Sequence, residues 1–365
     1  MTKIDFIPQM VPLFGSEEKT AICDYMDEGG FLTEFKRTAE FERQLAEFTK
    51  SKHCIVVNNG TISLTLAGLA SGLMAGDEVI VPNYTMIATP NSQLMYGAKP
   101  VFVDVEPETL CLDLSKVKSA ITPRTKAIIL VTANGRYPKQ DICEFEKFAS
   151  DHGLVLIEDA AQSLGSYYPD GRHIGTAGKV GSFSFSAPKI ISTGQGGALV
   201  TDDDEVAENI RRLKDFGRSE GGNDVHDVIG FNFKFTELQA CIGLAQIKKL
   251  QERTQRKKDI FLRYKSGLDG LAEITLFNND ISCTSPWFYD VLAQRRNELQ
   301  AFLKSHSVGT RVMYPPINKQ KAYNRPGSFP VSELIGEKGL WLPSSVQTTD
   351  DEIDYICEKI SEFYA

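Results

Sequence analysis

A single lysine, Lys189, lies in the apolar and glycine-rich segment FSFSAPKIISTGQGG, residues 183–197. Burial of a lysine side chain disfavours its charged form and lowers its pKa from the usual value of about 10.4. The neutral amine is a nucleophile that can form a Schiff base with a carbonyl compound. The glycines after Lys189 permit a tight turn into the strand that the segment GALVTDD predicts. The alternative interpretation is a loop lysine whose charged end reaches solvent.

Asp159 ends the apolar run LVLIED, which has the composition of a buried strand. A carboxylate in that position can keep a pyridine nitrogen protonated, and protonation makes pyridoxal 5'-phosphate (PLP) an electron sink. A PLP site is therefore one interpretation of Asp159 together with Lys189. Taken alone, Asp159 is equally well explained as the N-cap of a helix that begins at Ala160.

A phosphate site is predicted where the strand segment HCIVV runs into the sequence NNGTIS. Gly60 and Thr61 begin a helix there, and the free backbone N–H groups of a helix start attract an anion. Ser184 is a candidate hydroxyl donor to the same phosphate. The alternatives are an ordinary turn between a strand and a helix, and a Ser184 that is simply a small strand residue.

Short β-branched runs alternate with helix-like stretches in the first half of the chain, which predicts an α/β domain with a mainly parallel sheet. The runs are HCIVV, DEVIVP, PVFVDV, AIILVTA and LVLIED, and the helix-like stretches include 62–74 and 140–152. Ligands bind beyond the carboxyl ends of such strands. Those ends carry the polar segments 58–63, 83–86, 134–139 and 159–162.

The length of 365 residues exceeds the roughly 100–200 residues of one domain and predicts two domains. We expect a large cofactor-binding domain, with the N-terminal segment, over residues 1–240. Residues 241–365 are expected to supply a long connecting helix and a small C-terminal α+β domain. In that part of the chain SPWFYDVLA predicts a strand and RRNELQAFLKSH predicts a helix.

Composition limits the partners and the location of the protein. The net charge of −8 argues against nucleic acid or an anionic membrane as the main partner. We find no apolar run of about 18 residues and no secretory signal. Seven scattered cysteines without a CxxC pair, and five histidines outside any ligand spacing, predict neither a disulfide framework nor a metal site. We therefore expect a globular protein of the cytoplasm.

Three segments, IEDAAQSLGS, GSFSFSAPKIISTGQGGALVT and GFNFKFTELQACIGLAQI, occur in this order along the chain. In sequence and spacing they resemble the sugar aminotransferases of the DegT/DnrJ/EryC1/StrS family. The similarity extends from VPLFG to LWLPSS and is strongest in these segments and in NNGT and GDEVIVP. It implies a PLP-dependent enzyme of fold type I that forms a homodimer with its active sites at the subunit interface.

The resemblance assigns roles to the positions that match its motifs. Lys189 becomes the Schiff-base lysine, Asp159 pairs with the pyridine nitrogen, and Gln162 contacts the ring hydroxyl. Lys189 would then move a proton between cofactor and amino donor, usually glutamate in this family, before the amino group passes to a keto sugar. A related branch has histidine at this lysine and removes a hydroxyl group, so Lys189 favours transamination over dehydration. A catalytically silent sugar-binding regulator is the remaining alternative.

For the cofactor phosphate, the resemblance implies contacts from one subunit and its neighbour. These are Gly60, Thr61 and Ser184 of one subunit and Asn232 of the other. Met86 departs from the family pattern, which usually has an aromatic residue stacked on the cofactor ring. A thioether can pack on a π-face, so we expect Met86 to contact the ring. Tyr84 is an alternative, since an extended segment places it on the same side.

Three cations are candidate substrate contacts: Arg136 and Lys139 in TANGRYPKQD, and Arg311 in GTRVMYPPI. Arginine matches the geometry of carboxylate and phosphate groups. The general resemblance is to perosamine synthases, which aminate a nucleotide-linked 4-keto-6-deoxy sugar of lipopolysaccharide or a related surface glycan. The alternative substrate is a free acidic sugar such as an oxidised 3-deoxy-octulosonate, whose carboxylate Arg136 and Lys139 can pair with. Both residues can equally lie on a solvated loop, and Arg311 can be structural.

Overall fold

A seven-stranded sheet forms the centre of the protein in a computed structural model that describes residues 5–219 and 223–365. Its strands lie in the order β1-β7-β6-β5-β4-β2-β3. Their bounds are β1 His53–Val57, β2 Glu78–Pro82, β3 Lys99–Val103, β4 Thr125–Val131, β5 Val155–Asp159, β6 Val180–Ser184 and β7 Gly197–Thr201. The five β-branched runs of the sequence are therefore strands, as predicted.

Strand direction brings the polar segments to one edge of the sheet. The strands β2 to β6 pair parallel to one another, whereas β7 pairs antiparallel with both β6 and β1. Two antiparallel pairings restore the direction, so β1 also runs with β6. Every strand except β7 therefore ends at the same edge, and the prediction of a mainly parallel mixed sheet is confirmed.

Helices cover both faces of this sheet, which is why its strands are apolar on both sides. Along β4, Ile128 and Leu130 enter one buried cluster, whereas Ala127, Ile129 and Val131 enter the cluster on the opposite face. The first seven helices of the described chain are α1 Ser16–Glu28, α2 Lys36–Thr49, α3 Gly60–Ala70, α4 Ala88–Leu94, α5 Leu114–Ala120, α6 Ile142–Asp151 and α7 Asp204–Lys214.

A second, antiparallel sheet follows, with strand order β10-β11-β9-β8. The remaining elements are α8 Glu237–Ile247, α9 Leu250–Leu268, β8 Ile274–Leu276, β9 Tyr289–Ala293, α10 Arg296–Ser305, β10 Arg311–Val312, α11 Pro330–Lys338, β11 Gly339–Leu342 and α12 Asp350–Tyr364. A separate apolar cluster lies between this sheet and its helices. The division expected after residue 240 falls inside α8, which packs on α1 and α2. We propose that the second domain begins at the junction of α8 and α9.

Two kinds of feature are absent from the described residues. None of their helices combines the length and the apolar character that a bilayer crossing requires. Within the same ranges, no three His, Cys, Asp or Glu side chains come together in a way that could hold a metal ion.

His173 closes the loop that joins β5 to β6. The backbone N–H of Gly165 donates to its Nε2 (2.9 Å), and its Nδ1 contacts the carbonyl oxygen of Ile174 (2.6 Å). Because Nε2 accepts a hydrogen bond, the imidazole is neutral here. The ring is 3% exposed, and burial lowers its pKa to about 4 because the imidazolium form loses its hydration. The fold therefore requires the neutral ring.

This requirement predicts a pH-dependent stability. The pKa of His173 is lower in the folded state than in the unfolded state, where it is about 6.5. The contribution of the neutral ring is complete above pH 6.5 and is lost as the pH falls towards 4, by at most about 1.4 kcal/mol per pH unit. His173→Gln should lower the free energy of unfolding at pH 7.5 and flatten its decline between pH 6.5 and 4. Urea denaturation at several pH values measures both effects.

The matched control is His152→Gln, since His152 is exposed at the end of α6. Its stability curve should run parallel to that of the unchanged protein. Equal slopes for the two variants would show that His173 is not the group that titrates.

Candidate active site

Chemically capable side chains meet at the carboxyl edge of the large sheet. Asp159 is the last residue of β5, Ser184 is the last residue of β6, and Lys189 lies in the turn that follows β6. Gln162, Ser184 and Lys189 line one crevice. The glycine turns after Lys189 lead back into β7, so the predicted tight connection is present. The fold thus brings together residues that are up to 30 positions apart.

The amine of Lys189 is removed from water although the residue is only partly buried as a whole. Desolvation lowers its pKa to about 8, whereas the negative charge of Asp159 raises it and the positive charge of Arg311 lowers it further. The balance leaves about a tenth of the amines neutral at pH 7, far more than for a solvent-exposed lysine. Such an amine can attack a carbonyl carbon and can also accept a proton.

Asp159 is a buried carboxylate with one strong hydrogen-bond donor. The side chain is 6% exposed, and the Thr89 hydroxyl donates to its Oδ2 over 2.7 Å. Burial raises the pKa of Asp159, although the Thr89 hydrogen bond and the charge of Lys189 counteract the rise. A buried carboxylate of this kind is stabilised in its charged form by a cation placed against it.

The start of α3 approaches Ser184 closely. A Cβ atom added at Gly60 would lie 2.8 Å from the Ser184 Cβ and 3.0 Å from its Oγ, so a side chain at Gly60 would fill the gap. The Asn59 side chain caps α3 by accepting from Ile62 N (2.9 Å). Gly60 and Thr61 directly follow this cap residue, so their backbone N–H groups belong to the first turn of the 11-residue helix α3. A hydroxyl and helix-start N–H groups in one place form a cradle suited to a phosphate.

Gln162 is oriented by the loop after β4. Its Oε1 accepts the backbone N–H of Asn134 at 2.6 Å, which leaves its amide NH₂ as the free donor towards the crevice. Asn134 has a positive φ of 57° and is buried. Its side chain donates to Phe288 O and accepts from Phe288 N, so it fixes this loop to the second domain.

Arg136 is occupied by a structural partner. Its guanidinium group makes two bonds to Asp290, Nη1 to Oδ2 at 2.9 Å and Nη2 to Oδ1 at 2.5 Å, and both side chains are 3% exposed. The Phe277 ring lies 4.9 Å from the guanidinium carbon. The hypothesis that Arg136 binds a substrate carboxylate does not fit this arrangement. The guanidinium group is buried, and Asp290 already neutralises its charge through two hydrogen bonds.

The other predicted cations lie elsewhere. The Lys139 side chain is 69% exposed, with Nζ 3.8 Å from Glu108, which matches the solvated-loop alternative. Arg311 is exposed on β10, over the rings of Tyr314 and Trp341, and its charge acts on the amine of Lys189. Arg311 forms no ion pair with any described residue. Of the three predicted cations, Arg311 is the one whose charge reaches the Lys189 amine.

Met86 and Tyr84 have different environments. Met86 is 45% exposed, and its sulfur accepts the backbone N–H of Ala88 at 3.0 Å. Tyr84 is 4% exposed and belongs to an aromatic cluster with Trp287 and Trp341. Of the two, Met86 retains a free surface at the carboxyl edge of β2, so ring contact by Met86 stays a prediction.

Asn232 is exposed and belongs to a bridge with Asp215. Neighbouring apolar residues are exposed as well, Ile229 by 85% and Phe231 by 45%. A role for Asn232 in a second subunit stays a prediction. The glycine-bearing loop beside it, residues 219–227, lies partly outside the described residues, which omit 220–222.

Sequence reasoning missed three residues that influence the site. Thr89 holds Asp159, the Trp287 ring lies 4.4 Å from the Lys189 amine, and Tyr314 lies within the electrostatic reach of Asp159. All three are distant in the sequence from their partners. Trp287 is one of only two tryptophans in the chain, and this rarity was the one available signal.

Comparison with known proteins places this geometry in a family. The model of the DegT/DnrJ/EryC1/StrS aminotransferase family matches residues 14–361. The GDP-perosamine synthase of Escherichia coli O157:H7 is 34% identical over 99% of this chain and 99% of that protein. The UDP-2-acetamido-2-deoxy-3-oxo-D-glucuronate aminotransferase of Pseudomonas aeruginosa is 34% identical over 88% of this chain and 89% of that protein. The crystal structure of DesV from S. venezuelae has a TM-score of 0.89 at 33% identity and covers 95% of this chain and 94% of that one.

The Arg136 arrangement predicts a large effect on stability. Asp290→Asn leaves a buried guanidinium group without its counter-charge, and breaking a buried pair in this way costs about 3–5 kcal/mol. The free energy of unfolding from urea denaturation should fall by this amount. Asp151→Asn, in an exposed pair with Lys147, should change it by less than about 0.5 kcal/mol. An Asp290→Asn protein that is as stable as the original but binds ligand more weakly would indicate that Arg136 contacts the ligand.

Proposed function

Since the chain belongs to the DegT/DnrJ/EryC1/StrS aminotransferase family, we propose that it transfers the amino group of glutamate to a nucleotide-linked 4-keto-6-deoxy sugar. The protein is a PLP-dependent sugar aminotransferase, and the predictions of the enzyme class and of the cofactor are confirmed. The observation that carries the proposal is the desolvated amine of Lys189 at the same sheet edge as Asp159 and the Gly60–Ser184 cradle. The product is an amino sugar for a surface glycan such as lipopolysaccharide.

The residues at the sheet edge fit the cofactor. We assign its phosphate to the cradle of Gly60, Thr61 and Ser184, where a side chain at the glycine would fill the space. Asp159 is assigned to the pyridine nitrogen, since its buried charge requires a cationic partner. The NH₂ group of Gln162 is assigned to the ring hydroxyl, because the Oε1 atom already accepts from Asn134. When bound, PLP supplies an electron sink for the negative charge that develops on the donor's α-carbon.

Lys189 has the properties of the base in this reaction. With a pKa of about 8, Nζ is neutral in about a tenth of molecules at pH 7, and this neutral form accepts the proton of the donor's α-carbon. The charge of Asp159 stabilises the ammonium form that results, and the desolvated site then favours release of the proton. The same amine performs the reverse steps while the amino group passes to the keto carbon of the sugar.

The substrate class is proposed from two observations. The GDP-perosamine synthase of E. coli matches nearly the whole chain. The free acidic sugar, which is the second candidate, depended on Arg136 and Lys139, but Arg136 is buried against Asp290 and Lys139 is exposed on a loop. Arg311 is then the candidate contact for an anionic group, and a nucleotide-linked sugar offers its diphosphate. The nucleotide-linked sugar is therefore favoured.

A homodimer is proposed for the assembly. Exposed apolar side chains surround Asn232, with Ile229 85% and Phe231 45% exposed, and Phe31 and Phe35 are exposed by 66% and 48%. Apolar surface of this kind is typical of a protein interface. A neighbouring subunit on it would allow Asn232 to reach the phosphate in the second active site.

The role of Lys189 predicts a covalent product and a loss of activity. Borohydride reduction of the PLP-loaded protein should attach the cofactor to the Lys189 peptide, as peptide mass analysis measures. Lys189→Ala should abolish transfer of ¹⁵N from glutamate, whereas Lys147→Ala, at an exposed lysine, should retain full activity. A labelled peptide that lacks Lys189 would reject the assignment. Loss of water from a keto sugar without transfer of ¹⁵N would favour the dehydratase alternative.

The substrate proposal predicts a selective effect at Arg311. Arg311→Met should raise the KM of a nucleotide-linked 4-keto-6-deoxy sugar by about 10- to 100-fold, because a charged hydrogen-bond partner contributes roughly 1.5–3 kcal/mol. With glutamate alone the KM should be unchanged and only the pH dependence should shift upward, because the charge of Arg311 lowers the pKa of Lys189. Lys139→Met should leave both half-reactions unchanged. An effect confined to glutamate would assign Arg311 to the amino donor. Faster ¹⁵N transfer to an oxidised octulosonate than to any nucleotide-linked sugar would overturn the proposal.

A further inference from the structure

Trp287 is a buried aromatic residue that contacts the reacting atom of the site. Its ring centroid lies 4.4 Å from Nζ of Lys189, and the residue is 4% exposed. Trp287 precedes β9 by two positions, so it enters the crevice from the second domain. The assignment of the cofactor contacts gives it no role.

Backbone and side-chain hydrogen bonds fix this ring in place. The indole Nε1 donates to the carbonyl oxygen of Pro188 (2.7 Å), the residue directly before Lys189. The Trp287 backbone N–H donates to Asn134 O (3.3 Å), and the ring packs edge-on against Trp341, 5.7 Å between centroids. The ring and the turn that carries the amine are therefore held together.

Lys257 of α9 adds a further support. It is 5% exposed, and its ammonium donates to the backbone oxygen of Trp287 (2.6 Å) and to that of Ser344. It forms no ion pair with a carboxylate among the described residues. Burial without a counter-charge disfavours the charged form of this amine, so its hydrogen bonds to the two backbone oxygens are its main stabilisation. The hydrogen bond from Lys257 to the Trp287 backbone oxygen connects Trp287 to α9.

From this geometry we propose that Trp287 is a positioning residue whose indole face holds the ammonium form of Lys189. An aromatic face attracts a cation and not a neutral amine. The ring therefore stabilises Lys189 after it has taken up a proton and keeps Nζ at one place until the proton is released. The Pro188 hydrogen bond makes the ring follow any shift of the turn.

Other charged groups face the same amine and must be separated from the effect of the ring. Desolvation lowers the pKa of Lys189, Asp159 raises it, and Arg311 lowers it. Tyr314 also lies near Asp159 and Arg311. On the far side of Trp287, burial lowers the pKa of Lys257 to about 7. The ring acts in the same direction as Asp159, so its removal should lower the pKa of Lys189.

The first test uses the full-length, cofactor-free protein, so its result is independent of PLP and of the sugar. Trp341→Phe leaves Trp287 as the only tryptophan, and the Trp341 indole N–H has no hydrogen-bond partner among the described residues. Tryptophan emission should then change with pH, with a midpoint near 8, because an ammonium group above the ring perturbs the indole. Lys189→Met in the same background should remove this change. A step near pH 8 that persists with Lys189→Met, or no step near 8 in either protein, would overturn the proposal.

The second test compares two replacements that both lose the indole N–H. Trp287→Phe retains an aromatic face, whereas Trp287→Leu fills a similar volume without one. The pH dependence of acetic anhydride labelling at Lys189, read by peptide mass analysis, gives the pKa of the amine. It should lie about half a unit to one unit lower in Trp287→Leu than in Trp287→Phe. Equal midpoints in two folded variants would reduce Trp287 to a packing role and overturn the proposal.

Discussion

The removal of one amine and one carboxylate from water is the physical constraint on which this site depends. Burial lowers the pKa of Lys189 and raises that of Asp159, so each group is pushed towards its neutral form despite the attraction between the two charges. A lysine with a lowered pKa has enough neutral amine at pH 7 to form an imine, and a carboxylate that lacks solvent requires a cation beside it. A cofactor with an aldehyde at one end and a pyridine nitrogen at the other meets both requirements.

The surrounding structure maintains this desolvated state. Thr89 supplies a hydrogen bond to Asp159 without admitting water, and the absence of a side chain at Gly60 lets α3 approach Ser184. The second domain contributes the Trp287 ring on the amine and Asp290 on Arg136. Buried polar groups of this kind hold one geometry, because removal of either partner leaves the other unpaired away from solvent. The second domain is therefore part of the site and not an appendage of the sheet.

Burial also separates the candidate substrate contacts. Arg136 and Lys139 are three residues apart, yet one is desolvated against Asp290 and the other lies in solvent. Arg311, which comes from β10 of the second domain, is the cation whose charge acts on Lys189. The position of this charge is the basis of the proposal that an anionic group, such as the diphosphate of a nucleotide-linked sugar, binds on the side of the second domain.

The sequence alone predicted the strands and the edge of the sheet at which their polar carboxyl ends lie. It also predicted that Lys189, Asp159 and Ser184 belong to that edge. These follow from local patterns, since apolar runs ending in polar segments fix where each strand stops. Only the tertiary structure decided that Arg136 is an internal partner of Asp290 and that Trp287 lies on the lysine. Those pairs are separated by about 100 to 150 positions, and no local pattern records which side chain loses its water to which partner. Desolvation and pairing depend on how the whole chain packs. The sequence therefore predicted the cofactor site but not the residues that surround it.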